Sequence, residues 1–246
     1  MSTILLRRLG QSWGDETGVL LANTGVESNV DGVKTIVEER RVKAPTVTPQ
    51  ALAWDGKALW LSSRDLGTLE KIDMKRWVAT EELDPPGIVW AAVASNGALH
   101  LTIGKGLNDD RYVYRYDSKD GFRKMFACPE FTGSYLSYDH KHLYLSQWYE
   151  KRILEYDDKG NLVRRIDVGA EICGHTFVNG MIFVLRGVEK PNEEWTIARL
   201  DPRQDKPEVE DLAIVPFAAR SLTYDGKFFW SNHRAANEII AFSLPK

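Results

Sequence analysis

The chain has 246 residues, of which 43% are hydrophobic and 27% are charged, and its formal net charge is −3. This balance excludes wholesale disorder, and the small negative charge argues against nucleic acid or an anionic membrane as a partner. The longest uninterrupted apolar run, residues 88–94, has seven residues. A membrane-spanning helix needs roughly 20.

The N-terminal residues and the cysteines indicate a protein of the cell interior. Arg7 and Arg8 follow a short apolar stretch, which is the reverse of the order in a secretory signal. Cys128 and Cys173 are the two cysteines, too few for a disulfide framework. We therefore expect a cytoplasmic protein, and the sequence leaves its oligomeric state open.

A repeat of 40 to 46 residues organises the chain. Each copy has a hydrophobic stretch, a turn of the Asp-Gly or Asn-Gly kind and an aromatic-rich stretch, as in residues 51–60. The turns begin at Asp15, Asp55, Asn96, Asp139, Asn179 and Asp225. Both central residues of a type I′ turn need positive φ, so each turn predicts an antiparallel hairpin of that type.

Two further strands follow most of these hairpins. The third strand ends in an aspartate, at Asp73, Asp117, Asp157 and Asp201. The fourth strand is predicted over residues 77–83, 122–127, 162–168 and 208–215. Four strands in 40 to 46 residues are the unit of a β-propeller blade.

Six turns predict an all-β fold, a six-bladed β-propeller in one domain over residues 1–246. Only 21 residues follow Asp225, enough for a third strand over residues 238–244. We therefore expect an N-terminal strand, residues 3–7, to complete the last blade. The alternative is a propeller of five blades, in which residues 34–43 form the closing strand and residues 1–32 are an N-terminal extension.

Ligand sites of propellers usually lie on one face, where inner strands begin and second strands end. Aligning the blades on their turns brings arginines, histidines and aromatic residues to this face, and no carboxylate. The predicted substrate-binding residues are Arg186, Arg220, Arg64, Arg234, Gln50, Tyr135, Gln147, Trp148 and Trp90. Converging arginines suit a small anionic molecule. In the alternative, they pair with Asp65, Glu171 or Glu189 in surface loops.

The same alignment places two candidate bases, His175 and His233, beside these arginines. Repulsion between the positive charges would lower the histidine pKa values and leave neutral imidazoles near neutral pH. One aromatic residue recurs at a fixed position of the second strands, and these residues are predicted to pack in the core. They are Trp60, Tyr144, Phe183 and Trp230.

Residues 49–61 resemble the inner hairpin of six-bladed propellers of the gluconolactonase-like, NHL-repeat and streptogramin-lyase-like group. Streptogramin-lyase-like members use a channel histidine as base, a role that the resemblance assigns to His175 or His233. Gluconolactonase-like members bind a metal through a glutamate, an asparagine and an aspartate. This chain has Gln11, Tyr135 and His175 at the corresponding positions, so we expect no metal and no cofactor.

These observations predict a propeller that binds a small anionic organic molecule at its channel mouth. We expect it to act without a metal, as a lyase, hydrolase or isomerase with a histidine base. One alternative is a non-catalytic scaffold that binds another protein through its flat face. Another is a metal-dependent lactonase with atypical ligands. The sequence fixes neither the substrate nor the reaction class.

Overall fold

The computed structural model describes residues 32–106 and 110–246, which form five antiparallel sheets of four strands. The first strand, β1 (Val37–Lys43), belongs to the last sheet. Blade one contains β2 (Pro49–Trp54), β3 (Leu59–Ser63), β4 (Leu69–Asp73) and β5 (Val78–Leu83). Blade two contains β6 (Ile88–Ser95), β7 (Ala98–Gly104), β8 (Tyr112–Asp117) and β9 (Gly121–Ala127).

The remaining blades repeat this order. Blade three contains β10 (Leu136–Tyr138), β11 (Leu143–Gln147), β12 (Arg152–Tyr156) and β13 (Leu162–Asp167). Blade four contains β14 (Glu171–Val178), β15 (Met181–Val188), β16 (Glu194–Leu200) and β17 (Glu210–Val215). Blade five contains β18 (Ala219–Tyr224), β19 (Phe229–His233), β20 (Glu238–Ser243) and β1. Short 3-10 helices occupy Pro129–Phe131 and Arg234–Ala236.

The inner strands form a closed ring. Each contacts the inner strand of the next blade, in the order β2, β6, β10, β14, β18 and back to β2. The fold is therefore a β-propeller, as predicted, and its blades pack around a central channel. Within the described ranges, no helix is long and apolar enough to cross a membrane.

The closing strand is β1, which pairs antiparallel with β20 from Val37 opposite Ser243 to Lys43 opposite Glu238. The prediction of six blades is wrong, and the alternative of five blades closed by residues 34–43 is confirmed. The predicted pairing of residues 3–7 with residues 238–244 is wrong as well, because β19 and β1 occupy both edges of β20. Residues 3–7 and the turn at Asp15 lie outside the described residues, and the single domain over residues 1–246 stays a prediction.

The segment before β1 also joins two blades. The Ile36 N–H donates to the Ile214 carbonyl, and the Ile214 N–H donates to the Lys34 carbonyl, each at 3.0 Å. Residues 34–36 thus run parallel to β17 of blade four before the chain enters blade five. These backbone hydrogen bonds cover part of the outer edge of β17, which would otherwise expose unpaired backbone groups.

The hairpin turns fall into two classes. In the two-residue turns, φ is 48° at Asn96 and 76° at Gly97, and 53° at Asn179 and 79° at Gly180. The predicted type I′ conformation is confirmed in these turns.

The other turns have four residues and begin at Asp55, Asp139 and Asp225. Only the residue after the aspartate has positive φ, so the type I′ prediction is wrong here. The aspartate side chain organises these turns instead. Asp55 Oδ1 accepts the backbone N–H groups of Lys57 and Ala58, both at 2.8 Å, and Asp55 Oδ2 accepts the Trp60 indole N–H at 2.8 Å.

The aspartates that end the third strands also accept turn hydrogen bonds. Asp73 Oδ1 accepts the N–H groups of Lys75 and Arg76 at 2.8 and 3.0 Å. Equivalent bonds to following backbone N–H groups occur at Asp117, Asp157 and Asp201. These carboxylates stabilise turns.

The aromatic series of the second strands packs between blades. All members are buried, which confirms the predicted core role. The contacts are Trp60 with Tyr116, Tyr144 with Phe177, Phe183 with Phe229, and Trp230 with Trp77. Ring centroids lie 4.8 to 6.4 Å apart, the range in which aromatic pairs attract each other.

Candidate functional site at the channel mouth

Strand pairing shows which residues of the five blades are equivalent. The inner hairpins pair Ala53 with Trp60, Val93 with His100, Ser137 with Tyr144, Thr176 with Phe183 and Thr223 with Trp230. Three residues earlier, near the start of each inner strand, lie Gln50, Trp90, Ser134, Cys173 and Arg220, which we call the inner ring. Four residues later, at the end of each second strand or directly after it, lie Arg64, Gly104, Trp148, Gly187 and Arg234, the outer ring.

Bulges in the inner strands set the direction of the inner ring. The pairing register shifts between Pro49 and Leu52, Val89 and Ala91, Ile172 and Gly174, and Arg220 and Thr223. In blade one, Ser62 Oγ accepts the Ala51 N–H at 2.8 Å and donates to the Val89 carbonyl of blade two at 2.9 Å. A bulge re-aims the side chain it contains, and Gln50, in this bulge, lines the channel mouth.

Members of both rings surround a cavity of about 320 Å³. The predicted site residues that line it are Gln50, Arg64, Trp90, Tyr135, Gln147, Trp148, Arg220 and Arg234. The other residues that line it are Arg111, Thr132, Ser134, Tyr149, Glu150 and Glu189. The predicted residues His175, His233 and Arg186 do not line it. The cavity therefore gathers arginines and aromatic rings without the candidate bases.

His175 lies in the core because of the length of its turn. The turn at Asn179 has two residues, so the pairing of β14 with β15 continues one residue pair closer to the turn than it does in the blades with four-residue turns. An alignment on the turns therefore places every residue of β14 one position away from its true equivalent in those blades. His175 becomes equivalent to Leu52, Leu136 and Leu222, all buried, and it is itself 1% exposed. The expected place of His175 at the mouth is wrong.

The hydrogen bonds of His175 hold it in a structural role. Its Nε2 lies 3.1 Å from the Tyr135 carbonyl oxygen, and its Nδ1 lies 2.6 Å from Ser137 Oγ. A carbonyl oxygen only accepts, so Nε2 bears the proton and Nδ1 accepts the Ser137 hydroxyl proton. Burial lowers the pKa of His175 to about 4. The neutral imidazole links blades three and four.

Arg186 and His233 occupy the same register of neighbouring blades but turn away from the mouth. Arg186 donates to both Asp211 carboxylate oxygens at 2.9 and 2.7 Å and to the Val168 carbonyl at 2.9 Å. The His233 ring packs on Phe217, with centroids 5.9 Å apart. Burial is the main cause that lowers the pKa of His233, and the charges of Arg41 and Arg220 act in the same direction. The catalytic role assigned to the histidines stays a prediction without support from the cavity.

Carboxylates reach the mouth from a loop, although the aligned strand positions contain none, and the pairing of an arginine with Glu189 matches the alternative drawn from the sequence. Glu189 and Glu193 lie in the loop between β15 and β16, and both pair with Arg220. Arg220 Nη2 is 3.0 Å from Glu189 Oε1, and its guanidinium lies 5.4 Å from the ring centroids of Trp148 and Trp195. Arg220 is only 5% exposed. Its charge is thus neutralised by carboxylates, and its position is fixed between two indoles.

Arg234 has a different environment. Its Nη1 donates to Gln50 Oε1 at 2.6 Å, and it forms no ion pair with any residue that the structure describes. Burial is the main cause that lowers the pKa of Arg234, and the charges of Arg220 and Arg64 act in the same direction. Arg234 is therefore a partly buried cation without a counter-ion among the described residues.

Aromatic rings form the walls of the cavity. Trp148 lies 6.4 Å from Tyr135 between ring centroids, and the Arg111 guanidinium lies 4.2 Å from the Trp90 centroid. The indole N–H groups of Trp90 and Trp148 are buried and have no hydrogen-bond partner within residues 32–106 and 110–246. Buried donors normally have a partner. The aromatic faces of the walls suit a flat ligand.

The described part of the chain contains no group of three or more His, Cys, Asp or Glu placed to hold a metal ion. Gln11, at a position that the family resemblance relates to a metal ligand, lies outside the described residues. The absence of a metal and a cofactor stays a prediction.

Two of the lining residues outside the predicted substrate-binding set lie outside the strands. Glu189 lies in a loop after β15, and Arg111 directly precedes β8, where its Nη1 donates to the Gly133 carbonyl at 2.6 Å. Repeat alignment covers only strand positions, so loop residues escape it. The length of these connections and their charged residues were the available signal.

No family model and no curated protein matches the chain. Solved structures resemble it in fold. Glutaminyl cyclase from Myxococcus xanthus aligns with a TM-score of 0.67 at 13% identity, over 86% of this chain and 97% of that one. Virginiamycin B lyase from Staphylococcus aureus aligns with a TM-score of 0.50 at 11% identity, over 84% and 99%. A nidogen/laminin complex aligns with a TM-score of 0.54 at 14% identity, over 78% and 74%. These similarities show the propeller fold alone.

Proposed function

We propose that the protein binds a small organic anion with a flat apolar part, such as an aromatic carboxylate, in the mouth cavity. Arg234 is the observation on which this proposal rests. A partly buried guanidinium without a counter-ion retains an unsatisfied preference for negative charge. Guanidinium binds a carboxylate through paired hydrogen bonds.

The other charges of the cavity are largely paired. Arg220 pairs with Glu189 at 3.0 Å, Arg64 with Asp65 at 3.2 Å, and Glu150 with Arg152 at 3.9 Å. Arg234 is not among these pairs. A ligand with a single negative charge therefore complements the charges of the cavity better than a polyanion does.

The size and the walls of the cavity favour a compact, flat molecule. About 320 Å³ lies at the lower end of the volumes that small-molecule sites enclose. Trp90, Trp148 and Tyr135 offer aromatic surface for stacking. Catalysis as a lyase, hydrolase or isomerase would extend this binding function. The glutaminyl cyclase and the lyase of similar fold support that extension only at the level of architecture.

Titration with benzoate, followed by tryptophan fluorescence and calorimetry, tests the proposal. We expect saturable binding by the wild type. Arg234→Ala should weaken it about tenfold or more, because a hydrogen bond to a charged group contributes about 1.5 to 3 kcal/mol. Benzamide, which has a similar shape and no charge, should bind more weakly than benzoate.

Arg203→Ala is the matched control, because Arg203 pairs with Asp201 on the exterior and its side chain is 77% exposed. It removes the same charge from the protein and should leave benzoate affinity unchanged. An equal loss of benzoate affinity in both variants would show that only the overall charge of the protein matters, and it would refute the proposal. Failure of a panel of aromatic monocarboxylates to bind at millimolar concentration would also refute it.

The scaffold alternative gains support from exposed apolar side chains around the mouth. Tyr149 lines the cavity and is 80% exposed, and Leu66 is 61% exposed in the loop that follows Arg64. The similarity to a chain of the nidogen/laminin complex fits such a role. If a partner is captured, Tyr149→Ser with Leu66→Ser should abolish the interaction, whereas Arg234→Ala should not.

A further inference from the structure

Gln50 lies between a group that only donates hydrogen bonds and a group that only accepts them. Arg234 Nη1 donates to Gln50 Oε1 at 2.6 Å, and Gln50 Nε2 donates to the Trp90 carbonyl oxygen at 3.2 Å. A guanidinium cannot accept and a carbonyl cannot donate. The Gln50 amide therefore has one orientation.

Tyr135 lies next to the donating end of this amide. Its hydroxyl oxygen is 3.4 Å from Gln50 Nε2 and accepts that N–H. Tyr135 is 3% exposed and lines the cavity, and its own hydroxyl proton meets no acceptor among the described residues. The Tyr135 oxygen accepts the Gln50 N–H through one lone pair, so the hydroxyl proton is available to another acceptor.

Building on the proposed function, we infer that Arg234 and Gln50 form a relay that leaves the Tyr135 O–H as a hydrogen-bond donor to the ligand. The Tyr135 hydroxyl proton and the Arg234 N–H groups that do not bind Gln50 are then the donors that Gln50 leaves to a ligand at the cavity. A carboxylate has about four acceptor positions and no donor. The site therefore selects a carboxylate or a related oxyanion. Gln50 is the positioning residue, because its N–H directs the Tyr135 hydroxyl proton towards the ligand.

Tyr135→Phe tests the donor. It removes the hydroxyl group and keeps the ring, so benzoate affinity should fall about tenfold, while benzamide affinity should fall less. If the hydroxyl has only a structural role, Tyr135→Phe lowers the melting temperature and leaves the affinity ratio of the two ligands unchanged.

Gln50→Glu tests the relay. A glutamate at position 50 accepts from Arg234 and also from the Tyr135 hydroxyl, which consumes the proton that the ligand would receive. Tyr135→Phe should then change benzoate affinity less than about twofold in this background, a non-additive result that a double-mutant cycle detects.

Gln147→Glu is the matched control for the added charge. Gln147 also lines the cavity, but its amide contacts Arg152 and Thr132. In this background Tyr135→Phe should keep its full effect of about tenfold. Equal effects of Tyr135→Phe in the Gln50→Glu and Gln147→Glu backgrounds would refute the relay.

The outcomes separate the two proposals. If Arg234→Ala weakens benzoate binding and Tyr135→Phe does not, the relay is wrong and the anion site stands. If neither variant changes binding, both are wrong. Should Gln50→Glu fail to fold, infrared spectra of carboxyl-labelled ¹³C-benzoate provide the second measurement. The bound carboxylate frequency should differ between wild type and Tyr135→Phe, and identical spectra would refute the donor role.

Discussion

Blades four and five have the same strand order but place their polar side chains differently. At the inner ring, blade four has the buried Cys173 where blade five has Arg220, and at the outer ring it has Gly187 where blade five has Arg234. The histidine of blade four, His175, is in the core. Blade five thus supplies cations to the mouth, and the strands of blade four supply none.

Blade four contributes instead through its loop. Glu189 and Glu193 extend from the connection between β15 and β16 and hold Arg220 of blade five. The comparison shows that equivalent strand positions do not ensure equivalent chemistry. Turn length decides which inner-strand residue faces the channel, and loop length decides which charges reach it.

Removing Arg220 should have the largest effect on stability. Arg220→Met leaves Glu189 and Glu193 beside the indoles of Trp148 and Trp195 without their counter-charge. Loss of one partner from a buried ion pair costs about 3 to 5 kcal/mol, and we expect about 3 because both carboxylates keep some contact with water. Urea unfolding measures the change.

The added substitutions Glu189→Gln and Glu193→Gln provide the control for Arg220→Met. They remove the stranded charges and should recover part of the lost free energy of unfolding. A loss below about 1 kcal/mol for Arg220→Met alone, the range of surface pairs, would mean that the loop of blade four does not depend on Arg220.

His175 should make the protein sensitive to acid. Its pKa is about 4 in the native state and 6.5 by reference in the unfolded chain, so only the unfolded state takes up the proton between these values. The stabilising contribution is complete above pH 6.5 and is lost as the pH falls towards 4. This difference in pKa corresponds to a change of about 3 kcal/mol in the free energy of unfolding.

His175→Leu should remove this part of the pH dependence, since leucine occupies the equivalent position in blades one, three and five. Urea unfolding from pH 7 to 4.5 measures the slope. His140→Asn, a change at an exposed histidine with positive φ, should leave the slope unchanged. Parallel stability curves for wild type and His175→Leu would show that His175 is not buried as described.

The strand pattern was predictable because each residue type acted locally. The aspartate at position 73 accepts turn N–H groups, and Asn-Gly at position 96 adopts positive φ, both short-range effects. The number of blades was not predictable in this way. The closing strand β1, with the sequence Val-Glu-Glu-Arg-Arg-Val-Lys and mostly exposed residues, lacks an alternating apolar pattern. The faint repeat at Asp15 was counted in its place.

Much of the mouth was predictable for the same reason. Arg64, Trp148 and Arg234 follow from counting along second strands, which the turns fix well. His175 did not follow, because the two turn classes differ in length and displace the inner strand by one residue. Such a displacement changes which side chains face the core. The sequence offered Glu189 as a possible arginine partner, but the choice of Arg220 depends on a contact between two blades and has no local signature.

Glu189→Gln sharpens the contrast between the two blades at the level of binding. It takes one counter-charge from Arg220 and raises the positive potential of the cavity. We expect benzoate affinity to rise about threefold, in line with the modest strength of a partly exposed ion pair. Glu210→Gln, an exposed change on the outer strand β17, should have no effect. Weaker binding by Glu189→Gln would instead make Glu189 part of the ligand contact.

Arg186→Met should have the smallest effect, and it tests directly whether the strands of blade four contribute to the mouth. Its partner Asp211 is 38% exposed in the side chain and also accepts from Thr196 Oγ1 at 2.9 Å. The carboxylate therefore stays satisfied, and unfolding should change by less than about 1 kcal/mol. Because Arg186 points to the outer strand, benzoate affinity should stay within about twofold of wild type, a factor worth only about 0.4 kcal/mol. A loss as large as that of Arg234→Ala would mean that both blades supply cations to the ligand, and the division between strand and loop would then be wrong.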